Sequence, residues 1–373
     1  MKANQYTKRI LVAVSGLSPQ ILTETLYGLA VKQDFIPTEI HLITTAEGAH
    51  RAILNLLHQE KGQFHNLCHE YALPYIDFTE NNIHIIEDAN NNKLNDIRTP
   101  EENEAAADFI TNKIKELTQD KDSAVHVSIA GGRKTMGYYL GYALSLFGRT
   151  QDRLSHVLIS EGYEGHPEFY YPTLKSCVIH TRDNRPLDTS KAEITLAEIP
   201  FIRMRQDIPK RLLQGKAGFS DTITLARKAE IEPVLVVDVA NRLISASGEV
   251  FTLPPVVISF YSWLLKQTVE TQTSLEKPLE GFYNENYATD FLIEYQPFIS
   301  EMGSKTTTDG LNKGMESSFF TDRVSRINKE LKENLGDRLA QSYRIKGSKH
   351  KDSMFYATDL LPNQVSFATI ELN

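Results

Sequence analysis

The stretch VHVSIAGGRKTMGYYLGYALSLFG, residues 125–148, joins a β-branched strand to a long apolar helix through a short polar turn. Two adjacent glycines, Gly131 and Gly132, let the backbone of that turn approach a ligand with no Cβ in the way. The amides that open the helix favour an anion, and Arg133 and Lys134 place two cations at the same point. The pattern therefore predicts a strand–turn–helix unit that binds a phosphate-bearing ligand.

This turn differs from the phosphate loop of nucleoside triphosphatases, which needs the pattern G-x-x-x-x-G-K-[ST]. Here Arg133 separates a glycine from Lys134, and no glycine stands at the required upstream position. A plain alternative is a strand-to-helix turn with two solvated cations, because turn glycines are common. A second turn of the same kind, Ser15-Gly16-Leu17-Ser18-Pro19, also joins a predicted strand to a predicted helix, and this repetition favours the ligand site.

Strands alternate with helices along the first half of the chain. The predicted strands are Arg9–Val14, Glu39–Thr44, Ile83–Glu87, Val125–Ile129 and Leu154–Ser160. The predicted helices, besides the one after Lys134, are Gln20–Gln33, residues 47–60 and Thr99–Thr118. This alternation is typical of an α/β fold with a Rossmann-like, mostly parallel sheet between two layers of helices. Ligands of such sheets bind outside the carboxyl ends of the strands, where both glycine turns are expected.

Composition limits the classes of function. The 373 residues suffice for two domains, and the balance of 41% hydrophobic and 24% charged residues is that of a globular protein. No apolar run approaches the roughly 20 residues of a membrane span, and the N-terminus lacks a signal-peptide cleavage site, so a cytoplasmic protein without membrane contact is expected. Cys68 and Cys177 indicate neither a disulfide framework nor a metal site, and no cofactor is expected.

The second half of the chain has a different pattern. A polar segment at residues 182–186 suggests a boundary, and a predicted strand, Ile194–Met204, follows it. Two apolar helices, a basic amphipathic helix and a basic hairpin come next: Val256–Lys266, Tyr287–Ser300, Phe320–Leu335 and Gln341–Phe355. This order predicts an α+β winged helix-turn-helix domain. Its cations either bind DNA phosphates or form a solvated face, and the net charge of −8 argues only against wholesale nucleic-acid binding.

Three segments carry a family resemblance: SGLSPQILTETLYGLA from residue 15, DIRTPEENEAAADFI from residue 96 and AGGRKTMGYYLGYALSLFGRTQDRLSHVL from residue 130. They resemble the CRISPR-associated Rossmann-fold (CARF) proteins of type III CRISPR systems, in the branch associated with ring nucleases. The resemblance covers roughly Ile10–His180, and the second half is similar only loosely to the winged-helix extension of these proteins. It implies a CARF domain at residues 1–182, with linker strands and a winged-helix-like domain at residues 183–373.

The resemblance also implies a function. CARF domains form homodimers that bind cyclic oligoadenylates across the two-fold axis, and some cleave this messenger without a metal. A two-fold symmetric ring such as cyclic tetra-adenylate suits an isologous dimer, which presents each turn twice. Cleavage would leave linear products with 2′,3′-cyclic phosphate ends and would switch off the type III CRISPR response.

The same resemblance implies roles for individual residues. Lys134 and Arg133 would stabilise charge on the phosphoryl oxygens, and Ser15 would act with them in catalysis. The remaining residues would bind the ligand: Gly16, Leu17, Ser18, Gly131, Gly132, Thr135, Asp96, Arg98 and Asn103. For the Asp96 segment a second interpretation stays open, in which Asp96 and Arg98 form a loop ion pair and Thr99 caps a helix with Glu102.

Two other functions stay open. The chain could be a transcriptional regulator in which the cyclic ligand resets the winged helix on DNA. It could also be a ribonuclease activated by cyclic oligoadenylate, although the two R-x(4–6)-H matches, Arg51…His58 and Arg344…His350, do not fall in suitable predicted helices. Ring size is not predicted by the spacing of the turns.

Overall fold

A six-stranded sheet organises the first part of the chain, and the computed structural model describes residues 5–33, 35–214, 218–300 and 304–371. The strands of this part are β1 Lys8–Val14, β2 Glu39–Thr44, β3 Ile83–Ile85, β4 Ser123–Ser128, β5 Arg153–Ile159, β6 Val178–His180, β7 Pro186–Asp188 and β8 Ile194–Glu198. The sheet has the order β3-β2-β1-β4-β5-β8, and only β8 is antiparallel to its neighbour. The mostly parallel sheet that the sequence predicts is therefore confirmed.

Five α-helices accompany the described part of this sheet: α1 Gln20–Tyr27, α2 Ala46–Ala52, α3 Gln63–Glu70, α4 Pro100–Leu117 and α5 Lys134–Phe147. The first two continue as π-helical segments, Gly28–Lys32 and Ile53–Leu57. Each predicted helix is present, whereas α3 was not predicted, because its eight residues carry only two buried apolar side chains, Phe64 and Leu67.

The core lies on both faces of β1, whose residues from Ile10 to Val14 are all buried. Leu11 and Ala13 pack in one apolar cluster with side chains of α1, α2 and α3. Side chains alternate along a strand, so Ile10, Val12 and Val14 face the opposite side, where α5 contacts β1 and β4. Burial on both faces is what a continuous β-branched run such as ILVAV indicates.

The strand order places a switch point between β1 and β4. From β1 the chain crosses to β2 and β3 on one side, and β4 and β5 follow on the other. This is the order of doubly wound nucleotide-binding sheets, whose ligands bind in the crevice outside the carboxyl ends of the two central strands.

The chain divides into two units, residues 1–205 with 216–221 and residues 206–215 with 222–373. The predicted boundary after residue 182 therefore differs from the observed one by about 20 residues. The reason is β8, which returns to the sheet and pairs with β5 from Ser155↔Glu198 to Ile159↔Ile194. The predicted strand Ile194–Met204 ends at Glu198, before the prolines and arginines of the linker.

The second unit contains mixed elements. In chain order, the elements after β8 are α6 Lys210–Gln214, α7 Phe219–Lys228, β9 Leu235–Asp238, β10 Leu243–Ala246, β11 Glu249–Thr252, α8 Pro255–Thr268, β12 Leu275–Glu276, α9 Glu285–Tyr295, α10 Ser304–Gly310, α11 Ser317–Ala340, β13 Lys346–His350, β14 Ser353–Ala357 and β15 Val365–Phe367. They form two sheets, β11-β10-β9-β15 and β12-β14-β13. The aromatic residues Phe260, Trp263 and Phe320 are buried at its core.

The four predicted elements of this unit are close to observed ones, and the two apolar helices correspond to α8 and α9. The basic helix predicted at Phe320–Leu335 corresponds to α11, in which Gly336 has a φ of 80° and ends the regular helix one residue after the predicted end. The predicted hairpin corresponds to β13 and β14. Within the described ranges, no helix combines the length and apolar character that crossing a membrane requires.

Candidate functional site

A cavity of about 660 Å³ opens at the carboxyl ends of β1, β2 and β4. Its volume falls in the range of small-molecule sites, about 300–1,000 Å³. The turns that follow these strands and the loop before α4 supply its lining residues: Gly16, Leu17, Thr45, Glu47, Asn95, Asp96, Arg98, Gly132, Arg133, Lys134, Thr135 and Met136. The cavity therefore lies at the switch point of the sheet.

The two glycine turns touch each other. A Cβ on Gly16 would lie 3.6 Å from the Cα of Gly132, an ordinary contact distance. A Cβ on Gly131 would lie only 2.5 Å from the carbonyl oxygen of Val14 and 2.8 Å from Cγ1 of Ile21. Gly132 has a φ of +74°, which an L side chain rarely adopts. The pair of glycines is thus required by the packing of the turn as well as suited to a ligand.

The third turn, after β2, is packed against the first. A Cβ on Gly48 would meet the hydroxyl of Thr44 and would lie 2.7 Å from the carbonyl oxygen of Gly16. Thr45 caps α2 by accepting a hydrogen bond from the amide of Gly48 at 3.4 Å. Close contacts between backbones hold all three turns at one rim.

Arg133 is held by a carboxylate from a distant loop. Its Nε donates to Oδ1 of Asp96 at 3.0 Å, and its NH2 group donates to Oδ2 at 2.5 Å. The Nε of Arg98 donates to the same Oδ2 at 2.8 Å. Hydrogen bonds from Arg133, which makes the largest contribution, and from Arg98 hold the pKa of the Asp96 carboxyl well below its usual range. Asp96 therefore stays ionised and orients both guanidiniums at the cavity.

Lys134 differs from both arginines. It is the first residue of α5, its side chain is exposed, and no carboxylate of the described ranges lies within ion-pair distance of it. The amides of Lys134 and Thr135 precede the first helical hydrogen bond, which the amide of Met136 donates to the carbonyl of Arg133 at 2.9 Å. The lining contains three cationic and two acidic side chains, so the cavity carries a small net positive charge. Lys134 is the cation of the lining that has no ionic partner within the described ranges.

Four of the predicted site residues lie outside the cavity lining. Ser15 is fully buried, and its Oγ has no hydrogen-bond partner among the described residues. Ser18 is exposed beside the rim, and Gly131 packs under the turn. Asn103 donates from Nδ2 to the hydroxyl of Tyr139 at 2.6 Å and so joins α4 to α5. The structure does not bring these four residues to the lining, and their roles stay predictions.

For the Asp96 segment the structure confirms the ion pair and the helix cap, and ligand contact stays a prediction. Asp96 and Arg98 form the ion pair at 2.8 Å, and Thr99 with Glu102 forms a complete capping box at the start of α4. Both Asp96 and Arg98 nevertheless line the cavity. An ion pair and a ligand contact are therefore compatible here.

Sequence reasoning missed four lining residues: Thr45, Glu47, Asn95 and Met136. A usable signal for the first two existed, because the predicted strand Glu39–Thr44 also ends in a strand-to-helix turn at the same rim. Glu47 pairs with Arg51 at 3.2 Å on α2. Among the described residues, no three His, Cys, Asp or Glu side chains are grouped so as to hold a metal ion.

The two R-x(4–6)-H matches do not form a helical pair. Arg344 forms an ion pair with Asp337 at 2.5 Å, and His350 lies on the exposed strand β13. Arg51 lies on α2, whereas His58 follows the π-helical segment that ends at Leu57.

Comparison with known proteins identifies a family. Residues 18–231 match the model of the family described as CRISPR-associated protein NE0113. No curated protein matches the chain. The matched region contains the Asp96 loop and the β4–α5 turn, and it confirms the predicted CRISPR association. Because the match covers more than half of the 373 residues, this chain belongs to the CRISPR-associated protein NE0113 family.

Proposed function

We propose that this chain is a CARF protein that binds a cyclic oligoadenylate in the cavity at the switch point and opens the ring without a metal. The observation that carries the proposal is Lys134, an unpaired cation within the described ranges, at the N-terminus of α5 beside the fixed guanidinium of Arg133. A phosphodiester is the anion that such a turn suits. The CRISPR family supplies the context, since cyclic oligoadenylate is the messenger that the sequence resemblance implies.

Ring opening requires positioning and charge stabilisation. The 2′-oxygen of a ribose forms a bond to the adjacent phosphorus while the bond from phosphorus to the 5′-oxygen breaks. The 2′-hydroxyl gives up its proton, the 5′-oxygen gains one, and the products carry a 2′,3′-cyclic phosphate and a 5′-hydroxyl. Negative charge grows on the phosphoryl oxygens, where the Lys134 ammonium and the first amides of α5 would stabilise it.

A homodimer is part of the proposal. A cyclic tetra-adenylate has a two-fold axis, so an isologous pair of cavities would meet equivalent phosphates with the same residues. Ser15 would contribute only if its buried hydroxyl became accessible in the ligand complex, and its lack of a partner leaves its hydrogen-bonding capacity unused among the described residues.

The Lys134→Ala variant tests this proposal. Purified protein is incubated with radiolabelled cyclic tetra- and hexa-adenylate in EDTA, and linear products are resolved over time. We expect cleavage by the wild type and a rate at least about 100-fold lower in the variant, because one group that stabilises developing charge typically contributes a factor of 10²–10³ to the rate.

Lys121→Ala is the matched control. Lys121 is also exposed but precedes β4, at the edge of the sheet opposite the cavity, so its loss should leave the rate unchanged. Near wild-type cleavage by Lys134→Ala would exclude the catalytic role. Tight binding without cleavage by the wild type would reduce the proposal to a ligand sensor.

The second unit supports a second candidate, a DNA-binding regulator with a winged-helix domain. Helices α8, α9 and α11 precede the hairpin β13–β14, and β12 between α8 and α9 pairs with β14. Apart from the short helix α10 between α9 and α11, this order resembles that of a winged helix-turn-helix. Exposed cations lie on α11 and on the hairpin: Arg326, Lys329, Lys349 and Lys351.

The double variant Lys349→Ala/Lys351→Ala tests this candidate. If the hairpin binds DNA phosphates, affinity for a duplex should fall several-fold, and the salt dependence should lose about one unit of slope per lysine. Fluorescence anisotropy with a labelled duplex at several salt concentrations measures both quantities. Lys305→Ala/Lys313→Ala is the control, because both lysines are exposed, Lys305 on α10 and Lys313 in the turn that follows it. Equal affinity and slope in both double variants would reject DNA binding by the hairpin.

A further inference from the structure

Tyr138 is an exposed aromatic residue beside the cavity. It lies one helical turn after Lys134 on the same face of α5, and 61% of its surface is exposed. Side chains on a helix lean toward its N-terminus and cover the preceding turn. For Tyr138 that turn contains Lys134 and Thr135, which both line the cavity. The Cα atom of Tyr138 is therefore about 6 Å farther along the helix axis than that of Lys134, and the ring leans back toward the turn that lines the cavity.

Other aromatic residues hold this ring in place. Its centroid lies 5.7 Å from the ring of Tyr139 and 5.8 Å from the ring of Tyr142. Both of those rings contact Phe219, at 5.2 and 5.3 Å. An aromatic ring that is restrained by neighbours and still exposed loses little entropy when a flat ligand covers it.

We propose that Tyr138 is the platform on which one nucleobase of the ligand stacks. This inference rests on the proposed function, because it takes the phosphate of the same nucleotide to lie at Lys134. In a nucleotide the ribose lies between the phosphate and the base. Lys134 and Tyr138 are one helical turn apart, so a nucleotide whose phosphate lies at Lys134 could place its base on the ring of Tyr138. Stacking on an aromatic ring tolerates any base, so Tyr138 supplies affinity for a nucleotide over a bare phosphate rather than a choice of adenine.

The experiment uses cyclic tetra-adenylate in which one adenine is replaced by 2-aminopurine, whose fluorescence falls when it stacks. The full chain is compared with Tyr138→Leu, which keeps an apolar side chain but removes the π face, and with Tyr138→Phe. We expect binding roughly 5- to 150-fold weaker in Tyr138→Leu, the range for one stacked base, together with loss of quenching. Tyr138→Phe should retain both.

Tyr75→Leu is the control, since Tyr75 is 84% exposed and lies two residues before Asp77, which pairs with Glu39 at the amino end of β2, the end of the strand opposite the cavity. Light scattering on each variant reports the oligomeric state. Wild-type binding with equal affinity and equal quenching in Tyr138→Leu overturns this inference alone. Loss of binding that accompanies a halved molar mass also overturns it, since Tyr138 would then be a contact between copies of the chain. A wild type that does not bind the probe overturns the proposed function and this inference together.

Discussion

Gly131→Ala is expected to destabilise the first unit by about 3 kcal/mol or more and to abolish the proposed binding of a ligand at the cavity. The new Cβ would lie 2.5 Å from the carbonyl oxygen of Val14 and 2.8 Å from Cγ1 of Ile21. The first of these is a backbone atom of the buried strand β1 and cannot rotate away. Overpacking of this kind typically costs 1–3 kcal/mol, and more where the backbone must move. The β4–α5 turn would have to shift away from β1, which would displace Arg133 and Lys134.

Thermal unfolding and a binding assay measure the two effects. A loss of 3 kcal/mol lowers Tm by roughly 6–12 °C in a unit of about 200 residues. Gly16→Ala is the matched control in the neighbouring turn, because its Cβ would meet nothing closer than 3.6 Å. We expect Gly16→Ala to keep the wild-type Tm within about 2 °C. Equal Tm values for both variants would show that the β4–α5 turn accommodates a Cβ at residue 131 and would contradict this prediction.

Glu24→Gln is expected to stabilise the protein, and increasingly so as the pH rises. The side chain of Glu24 lies on α1, and only 3% of the residue is exposed. Burial, with a smaller contribution from nearby Glu164, raises the pKa of its carboxyl from 4.5 to about 8. The folded protein therefore holds a proton on Glu24 at neutral pH that the unfolded chain has released. Glutamine has nearly the same shape as the protonated acid and has no proton to lose.

The direction of the effect follows from proton binding. Between pH 4.5 and about 8 the folded state binds more protons at Glu24 than the unfolded state, so wild-type stability falls as the pH rises through this window. The full cost of ionisation is on the order of 4–5 kcal/mol. We expect the Tm of Glu24→Gln to equal that of the wild type near pH 4.5 and to exceed it by on the order of 10 °C at pH 8.

Calorimetry between pH 4.5 and 8.5 checks this expectation. Glu164→Gln serves as the control, because Glu164 is exposed and makes only the smaller contribution to the pKa of Glu24. A gain in Tm that does not change with pH would contradict the assignment of a buried, protonated carboxyl at this position.

Local sequence patterns predicted much of the fold of the first unit. The β-branched runs at β1, β2 and β4 and the apolar periodicity of α1 and α5 predicted the parallel sheet, because each element buries its own apolar face. The short strand β12 and the helix α3 were missed, since too few of their residues are buried to produce a period.

Pairing between segments that are far apart in the sequence could not be predicted from local patterns. The return of β8 to the sheet depends on its register with β5, which no local pattern encodes, and the predicted boundary was placed too early for that reason. Pairing of Arg133 with Asp96 joins residues 37 positions apart, and only folding brings their loops together.

The sequence by itself determined the two glycine turns at the ends of β1 and β4, because a glycine-containing turn between a strand and a helix is recognised from neighbouring residues alone. It also determined that Arg133 and Lys134 stand at the start of a helix. Only the tertiary structure decided that Asp96 binds Arg133 while Lys134 lacks an ionic partner in the described ranges, and that Ser15 points into the core. The physical reason is that charge pairing and burial depend on which segments meet in space, and those contacts are set by the packing of the whole unit.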